Sequence, residues 1–515
     1  MEAASTQLVT AGWVLVSTYA IIILYFVIKG AKEVKSIDDY ALGNVLFSPY
    51  AVGLSLAASI TSAATFIINP GFVALYGISG ILSMAIALPI AALLSLIFLT
   101  KGFRKHGKNV KALTMAQWME TRYNSKKFGI FFGFLSLLLI TFIVLISVGL
   151  TKVLASALNI PEFYALVGVV VFVFGYMMFG GANSMVYTNT IQALLMLVVA
   201  FILLGSGYEH FSGGVHAFLD KLAAIDPKLI TTTNDSSFLF RDHFEIFVAQ
   251  FIVGIAIICQ PHILTKSLLL KSDDDVNKYL ATGTIVQMLF FSVVAVGLYI
   301  RLTFPDLTYN GESIPMDGLV STYVVSEFPV FVGLILVMGL ISAGLSTLEG
   351  LVQTLSTTVT KDILEPLLGK QLGMKKEGGT NILVNRIVII VMAIVAIYLS
   401  WDQIVNPKLS VGIFAQNGVY AYFSAAFVPI LFGMFFKNVS LRAVFSAAVV
   451  AVVVHFTMYY AMLPIPFSKA TGENPGVAAA VAIVLSVLTV FIVSAVEGKP
   501  IKLADKESPN KKSVA

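Results

Sequence analysis

The chain has 515 residues, of which 58% are hydrophobic and only 12% charged, about half the charged share of a soluble domain. Its apolar runs are continuous and roughly 20 or more residues long, which excludes a β-barrel built of short alternating segments and makes the chain an all-α polytopic membrane protein. The single cysteine, Cys259, excludes an internal disulfide, and the net charge of +5 informs through its distribution rather than its total.

In chain order the hydrophobic pattern predicts thirteen spans, at about 10–29, 48–72, 79–100, 128–156, 161–181, 187–207, 243–265, 279–304, 329–360, 381–402, 410–436, 442–463 and 475–496. The first run lacks the small-residue cleavage site of a signal peptide and reads as a retained helix. With Met1 outside, the inside segments 29–47, 101–127, 182–186, 266–278, 361–386, 437–442 and 497–515 hold 26 of the 33 Lys and Arg residues, against five in the outside loops. That asymmetry predicts the N-terminus out and the C-terminus in. Of the rest, Lys152 and Arg301 fall within spans, each near an outer end, so no cation is expected at the midplane. The outer loops 208–242 and 305–328 are expected to carry short surface helices, and 498–515 reads as a disordered cytoplasmic tail. The basic run Lys101–Lys111 reads as an orientation signal beside anionic lipid and not as a nucleic-acid site.

Thirteen spans divide into one leading helix, ten, and two. Ten invites two five-helix halves of opposite orientation, whose binding sites form where helices break near the midplane. Breaks are expected in corresponding places. The second span has Asn69-Pro70-Gly71 after the polar patch Ser59, Thr61, Ser62 and Thr65, and the seventh has Gln260-Pro261-His262 after Gly254. Pro261 is expected to leave a backbone carbonyl without its helical donor.

The ninth span carries a polar seam. Ala343, Ser346, Thr347, Gly350, Gln353, Thr354 and Thr357 recur at steps of three and four on one helical face. Small and hydroxylated residues on one face are also how membrane helices pack closely. Glu349 adds an ion path to that reading, because a carboxylate within a membrane span faces a partner or a water-filled path.

Five stretches carry a resemblance: SLAASITSAATF in the second span, GGANSMVYTNTIQ at the sixth, QPHILTK ending the seventh, AGLSTLEGLVQTLSTTVTKDI in the ninth and FGMFFKN closing the eleventh. In this order, over nearly the whole chain, they resemble the sodium/solute symporter family, which includes bacterial proline, pantothenate, galactose and sialic acid transporters. The resemblance implies a leucine-transporter-type inverted-repeat fold. Its parts are a leading helix in 1–47, a first repeat in 48–207, an outer loop in 208–242, a second repeat in 243–436, two extra helices in 437–497 and the tail 498–515. It implies sodium as the coupling ion, no organic cofactor, and a cell inner (plasma) membrane location. It also implies a sodium site from the carbonyls of Ala58, Thr61 and Ala343 and the hydroxyls of Ser346 and Thr347, five uncharged oxygens that suit a hard monovalent cation.

Three positions depart from the family's pattern. Asn189, in YTNTIQ, stands where many relatives have aspartate, and Ala343 stands where relatives with a second sodium have serine; together they predict one sodium per cycle. Glu349 stands where relatives usually have a small or hydroxylated residue. It is either an ion or proton contact, or a carboxylate paired with a cytoplasmic-side Lys or Arg or reaching the inner vestibule. Asn189 and Glu349 are therefore the candidate coupling residues.

For the solute, the resemblance points to Ser62, Thr65 and Gln416, with Phe66 and Gln260 as further candidates. A carboxylate needs a cation, a helix N-terminus or a cluster of N–H donors. The QPHILTK segment favours a small organic acid or amino acid; a sugar or sialic acid is the alternative. The expected partners are a small solute, sodium and the lipid bilayer, with no nucleic acid, and a working monomer. Proton coupling, a channel or a solute sensor on the same scaffold rank below. A channel should show repeated pore-lining charges, and an enzyme should show a metal-ligand cluster, nucleophile–base set or phosphate loop. His106, His210, His216, His243, His262 and His455 have no ligand spacing and are expected mainly in loops or at span ends.

Overall fold

The computed structural model describes residues 6–45, 47–110, 112–270, 272, 274–374, 379–407 and 410–503. They form a helical bundle in which ten helices are long and apolar enough to cross a membrane, and two further pairs meet that test as bent spans. Apolar side chains point outward all round the bundle, as at Ile21, Phe98, Ile285 and Phe331. That suits a protein whose outer solvent is hydrocarbon.

Several helices start where local chemistry dictates. Ser48 caps the helix Pro49–Ile60 and Asn474 caps Pro475–Val496, each accepting a first-turn backbone N–H with proline at the first positions. Ser410 and Ser440 cap Val411–Phe435 and Leu441–Tyr460 in the same way.

The expected spans 161–181 and 187–207 form one 44-residue run, Glu162–Gly205, interrupted at Gly181, whose φ of 62° and ψ of −164° belong to no helix. The first part of GGANSMVYTNTIQ thus has a structural purpose. A Cβ at Gly181 would sit 2.8 Å from the Tyr40 carbonyl oxygen, and Asn183 Oδ1 accepts from the backbone N–H groups of Asn44 and Val45. Glycine alone tolerates both the dihedrals and the approach. Gly181→Ala should therefore lower the unfolding midpoint by several degrees in a detergent melt; an unchanged midpoint would mean that the loop 43–45 yields freely.

The break in the first bent span is not at Asn69-Pro70-Gly71. It lies between Pro49–Ile60 and Ala64–Tyr76, which meet at 54°. Thr61 takes extended dihedrals, whereas Asn69 stays helical. Pro70 is tolerated because Ala64–Ile68 is a wider π-type turn, with Asn69 N–H donating to the Ala64 carbonyl. In the second bent span, Phe244–Ile257 and Pro261–Leu269 meet at 59°, with the break ahead of Pro261 as expected. The carbonyl freed there, that of Ile257, is taken by the backbone and side-chain nitrogens of Gln260 itself.

Other expectations need correction. Lys502–Leu503 pairs with Phe436–Lys437 as a short antiparallel ribbon, so the tail is anchored at its start; residues 504–515 lie outside the described residues. Within the basic run, Arg104 is buried and donates to the carbonyls of Ser267 and Ser272. It ties the helix Leu88–Val110 to the end of the second bent span and does not face lipid headgroups; Lys111 lies outside the described residues. His262 and His455 are buried within the bundle. The loops 208–242 and 305–328 do carry short helices, Gly214–Ile225 and Leu319–Glu327.

Candidate functional site

The seam lies on the helix Val330–Thr358, where every residue from Leu336 to Thr358 is buried. Its neighbour is the first bent span, and the break there decides what the two exchange. Thr61 N–H makes the last helical bond, to the Ala57 carbonyl at 3.0 Å. The carbonyls just beyond have no ordinary helical donor, because the chain leaves the helix at Thr61.

The hydroxyls of the seam meet those carbonyls. Ser346 Oγ donates to the Ala58 carbonyl at 2.8 Å and lies 3.1 Å from the Ala343 carbonyl. Thr347 Oγ1 lies 3.2 Å from the Ser59 carbonyl and 3.5 Å from that of Thr61. The five oxygens named from the sequence thus gather around two successive hydroxyls, the Ala58 and Ala343 carbonyls at Ser346 and the Thr61 carbonyl at Thr347. Ser59, which the sequence reading left out of the set, adds a sixth. The Thr61 hydroxyl points elsewhere and accepts from Gln287 Nε2 at 2.7 Å, leaving its carbonyl for the cluster. The donor set is all oxygen, uncharged and buried, a chemistry suited to a hard monovalent cation. Among the described residues no group of three or more His, Cys, Asp or Glu side chains could hold a metal ion.

The rest of the seam is packing. Gln353 Nε2 donates to the Ala41 carbonyl at 2.7 Å. Thr354 and Thr357 donate to the carbonyls of Gly350 and Gln353 in their own helix.

Beside the oxygen cluster, next to both breaks, is a cavity of about 110 Å³. Ser62, Thr65, Gln260 and Gln416 all line it, with Asn69 and Tyr420 adding polarity that the sequence reading did not assign. Its walls are otherwise apolar, including Ile68, Phe142, Leu145, Phe291 and Val419, and among the described residues no charged side chain faces it. Phe66 is not among the lining residues: it points away and packs edge-on against Phe290, with ring centroids 5.6 Å apart. Thr65 and Phe66 are successive, about 100° apart on the turn, and of the two it is Thr65 that faces the cavity. Gln260 Oε1 is buried with no hydrogen-bond partner among the described residues, an acceptor left for something in the cavity. Ala64, at the start of the second half of the bent span, also lines it, which brings the positive end of a helix dipole to the wall.

Glu349 does not reach an inner vestibule, being fully buried. Oε1 accepts from Tyr176 Oη at 2.6 Å and Gln192 Nε2 at 3.0 Å, and Oε2 from Thr188 Oγ1 at 2.5 Å. All three donors lie on Glu162–Gly205, Thr188 and Gln192 in the second half of the GGANSMVYTNTIQ stretch and Tyr176 ahead of it.

A cation does lie inside the bundle. Lys266, counted from the sequence as part of an inside loop, is 2% exposed, and its Nζ donates to the Ser55 carbonyl at 2.9 Å and Ser55 Oγ at 2.8 Å. The helix Pro261–Leu269 continues past the expected end of its span and carries the lysine inward. Asn189 lies between the two charges. With its amide oriented to satisfy both ends, the nitrogen donates to Glu349 Oε2 at 3.2 Å and Gln192 Oε1 at 2.8 Å, while the oxygen accepts from Lys266 Nζ and Ser59 Oγ, both at 3.0 Å. The reverse orientation would aim the amide nitrogen at the ammonium.

Lys152 pairs with Glu162 at 2.6 Å. Asp317, in the loop before Leu319–Glu327, accepts from Val411 N–H at the start of Val411–Phe435. Burial pushes its carboxyl above the ordinary aspartate value, against the bonds from Val411 and Ser410.

The sequence from residue 40 to 451 matches the family model described as the sodium:solute symporter family. The chain is 26% identical over 428 residues to the sodium/pantothenate symporter of Escherichia coli (strain K12), covering 81% of this chain and 84% of that one. It is 24% identical over 459 residues to the sodium/proline symporter of Staphylococcus aureus, covering 87% and 86%. It shares the fold of a Na+-coupled sialic acid symporter solved in a substrate-bound outward-open state, with a TM-score of 0.75 at 16% identity over 96% of this chain and 99% of that one. A match over most of the chain, joined to a bundle of apolar helices, decides the matter: the chain belongs to the sodium:solute symporter family and is a multi-pass cell-membrane transporter, not an enzyme, that couples a small organic solute to sodium.

Proposed function

We propose that the protein imports a small polar organic solute, an organic acid or amino acid, with one sodium ion per cycle by alternating access. The observation that carries this reading is the meeting of the broken helix's carbonyls with the hydroxyls of Ser346 and Thr347, directly ahead in sequence of Ser62 in the cavity lined by Ser62, Thr65, Gln260 and Gln416. Sodium is held by the carbonyls of Ala58, Thr61 and Ala343 and the hydroxyls of Ser346 and Thr347. The bound ion bridges the first bent span and the seam helix, stabilises the arrangement in which they touch, and raises solute affinity through linkage.

An acid fits a cavity without a charged wall because two positive features border it. One is the dipole end at Ala64; the other is the sodium ion itself. The amides of Gln260 and Gln416 and the hydroxyl of Thr65 then serve the solute's remaining polar groups. The names of the relatives agree with this size and polarity, since pantothenate and proline both carry a carboxylate.

In this reading the chain has thirteen spans with its N-terminus out and C-terminus in. The inverted five-helix halves are 48–207 and 243–436, and the bent spans are the corresponding first helix of each. The leading segment 1–47, the outer loop 208–242, the two extra helices of 437–497 and the tail 498–515 complete it, and the monomer is the working unit. Asn189 and Ala343 keep the sodium count at one.

The test is a thermal-stability screen of candidate solutes on the purified protein with and without sodium, since a ligand that binds only the folded state raises its apparent stability. A carboxylic or amino acid that stabilises only with sodium supports the reading, and a hit confined to sugars or sialic acids replaces it with the alternative. With the hit in hand, Gln416→Leu should weaken solute binding about tenfold or more, roughly 1.4 kcal/mol, and leave stabilisation by sodium alone unchanged. Equal solute affinity in the variant would remove Gln416 from the site.

A further inference from the structure

Resting on the proposed sodium site, we infer that Lys266 is a tethered cation: its ammonium fills a second, oxygen-lined cation position beside Glu349, and this keeps the transporter to one mobile sodium ion. Lys266 Nζ has three oxygen neighbours, the Ser55 carbonyl at 2.9 Å, Ser55 Oγ at 2.8 Å and, through the satisfied amide orientation, Asn189 Oδ1 at 3.0 Å. An ammonium has three donors, so the set is complete. One amide away is the buried carboxylate of Glu349, held by Tyr176, Thr188 and Gln192. The charged and titratable groups around the carboxylate are Lys266, Tyr176 and, bound to Ser342 Oγ at 2.8 Å, Tyr19. The sum is neutral: one fixed negative charge and one fixed positive charge.

The two cation positions share a residue. The Ser59 carbonyl faces Thr347 Oγ1 in the sodium cluster, while its hydroxyl donates to the Asn189 oxygen that also accepts from Lys266. A cation cradled by oxygens and balanced by a carboxylate would be a sodium site if the cation were free to leave. Here it is covalently attached to the second bent span. It cannot be released on the far side of the membrane, so it adds nothing to the charge carried per cycle, yet it neutralises Glu349 throughout. A buried carboxylate without that partner would demand another cation.

The test needs no solute. Thermal unfolding of the purified full-length protein is followed at pH 8 against sodium chloride, with choline chloride holding ionic strength constant, for the parent, Lys266→Met, Lys266→Met with Glu349→Gln, and Lys266→Arg. The midpoint's rise per decade of sodium counts the ions bound to the folded state. In the parent it should match one ion; no rise in the parent would refute the sodium reading itself, separately from this inference. Lys266→Met should roughly double the slope as a second sodium enters beside Glu349. The double variant should return to the parental slope because the fixed charge is again zero, and Lys266→Arg should keep it. An unchanged slope in Lys266→Met, or a doubled slope that persists in the double variant, would overturn the inference. If Lys266→Met does not accumulate, recovery by adding Glu349→Gln supports the charge pairing. Failure of both to accumulate overturns it, because a neutral pair of similar volume should be tolerated.

Discussion

With Ser346→Ala and Thr347→Val combined, sodium should no longer stabilise the protein. The two hydroxyls are two of the five proposed ligands, and they are the contribution of the seam helix that lies within hydrogen-bond reach of Ala58, Ser59 and Thr61. An ion present at about a hundred times its dissociation constant stabilises the folded state by about 2.7 kcal/mol, and that increment should vanish at the same sodium concentration. The variant will also start from a lower midpoint, since it leaves buried carbonyls without donors at roughly 1–3 kcal/mol each. The deciding quantity is therefore the difference between sodium and choline, measured on each protein separately. A parental sodium increment in the double variant would show that the ion binds elsewhere.

Glu349→Ala should be the most destabilising single change in the site. It removes the acceptor of Tyr176, Thr188 and Gln192 together and leaves Lys266 as a buried ammonium without its counter-charge. Breaking a buried ion pair by deleting one partner typically costs about 3–5 kcal/mol, and three orphaned donors add to it. The expected readout is a large fall in the midpoint or loss of folded protein from the membrane. Glu349→Gln keeps the volume and part of the hydrogen bonding and should lie between that variant and the parent. A parental midpoint for Glu349→Ala would mean that the cradle opens to water and that the carboxylate is not structural.

These outcomes follow from different depths of reading. Hydropathy and the Lys and Arg distribution dictate a polytopic helical bundle, because a chain with 58% hydrophobic residues in long runs has no other way to satisfy its backbone in lipid. The seam at Ala343, Ser346 and Thr347 is legible from helical periodicity, since residues three and four apart share a face whatever they face. Pro261 marks its break because proline removes a backbone donor wherever it occurs.

Position of the other break was a tertiary decision. Asn69-Pro70-Gly71 is the stronger breaker by composition, yet a π-type turn absorbs Pro70 and the chain parts at Thr61. The Ala58, Ser59 and Thr61 carbonyls find hydroxyl partners there on the seam helix, 286 to 288 residues away in sequence. No local propensity reports a donor that distant. The choice between Thr65 and Phe66 as a cavity residue is likewise set by which face of one turn meets Val411–Phe435 and which meets Phe290.

Charge is where the sequence by itself reached least far. Lys266 reads as a loop lysine because it follows a proline break and precedes a polar stretch, and Glu349 reads as a carboxylate with its partner left open between an ion or proton, a cytoplasmic-side Lys or Arg, and the inner vestibule. Folding places one amide, Asn189, between them and surrounds both with donors and acceptors from two other segments, Pro49–Ile60 and Glu162–Gly205. Hydrophobic patterning determined that the chain crosses the membrane and which helical face is polar, because those depend on neighbours along the helix. Only the tertiary structure decided which buried charges cancel, because desolvation makes an isolated charge untenable and its compensation can come from any part of the chain that folding brings within reach.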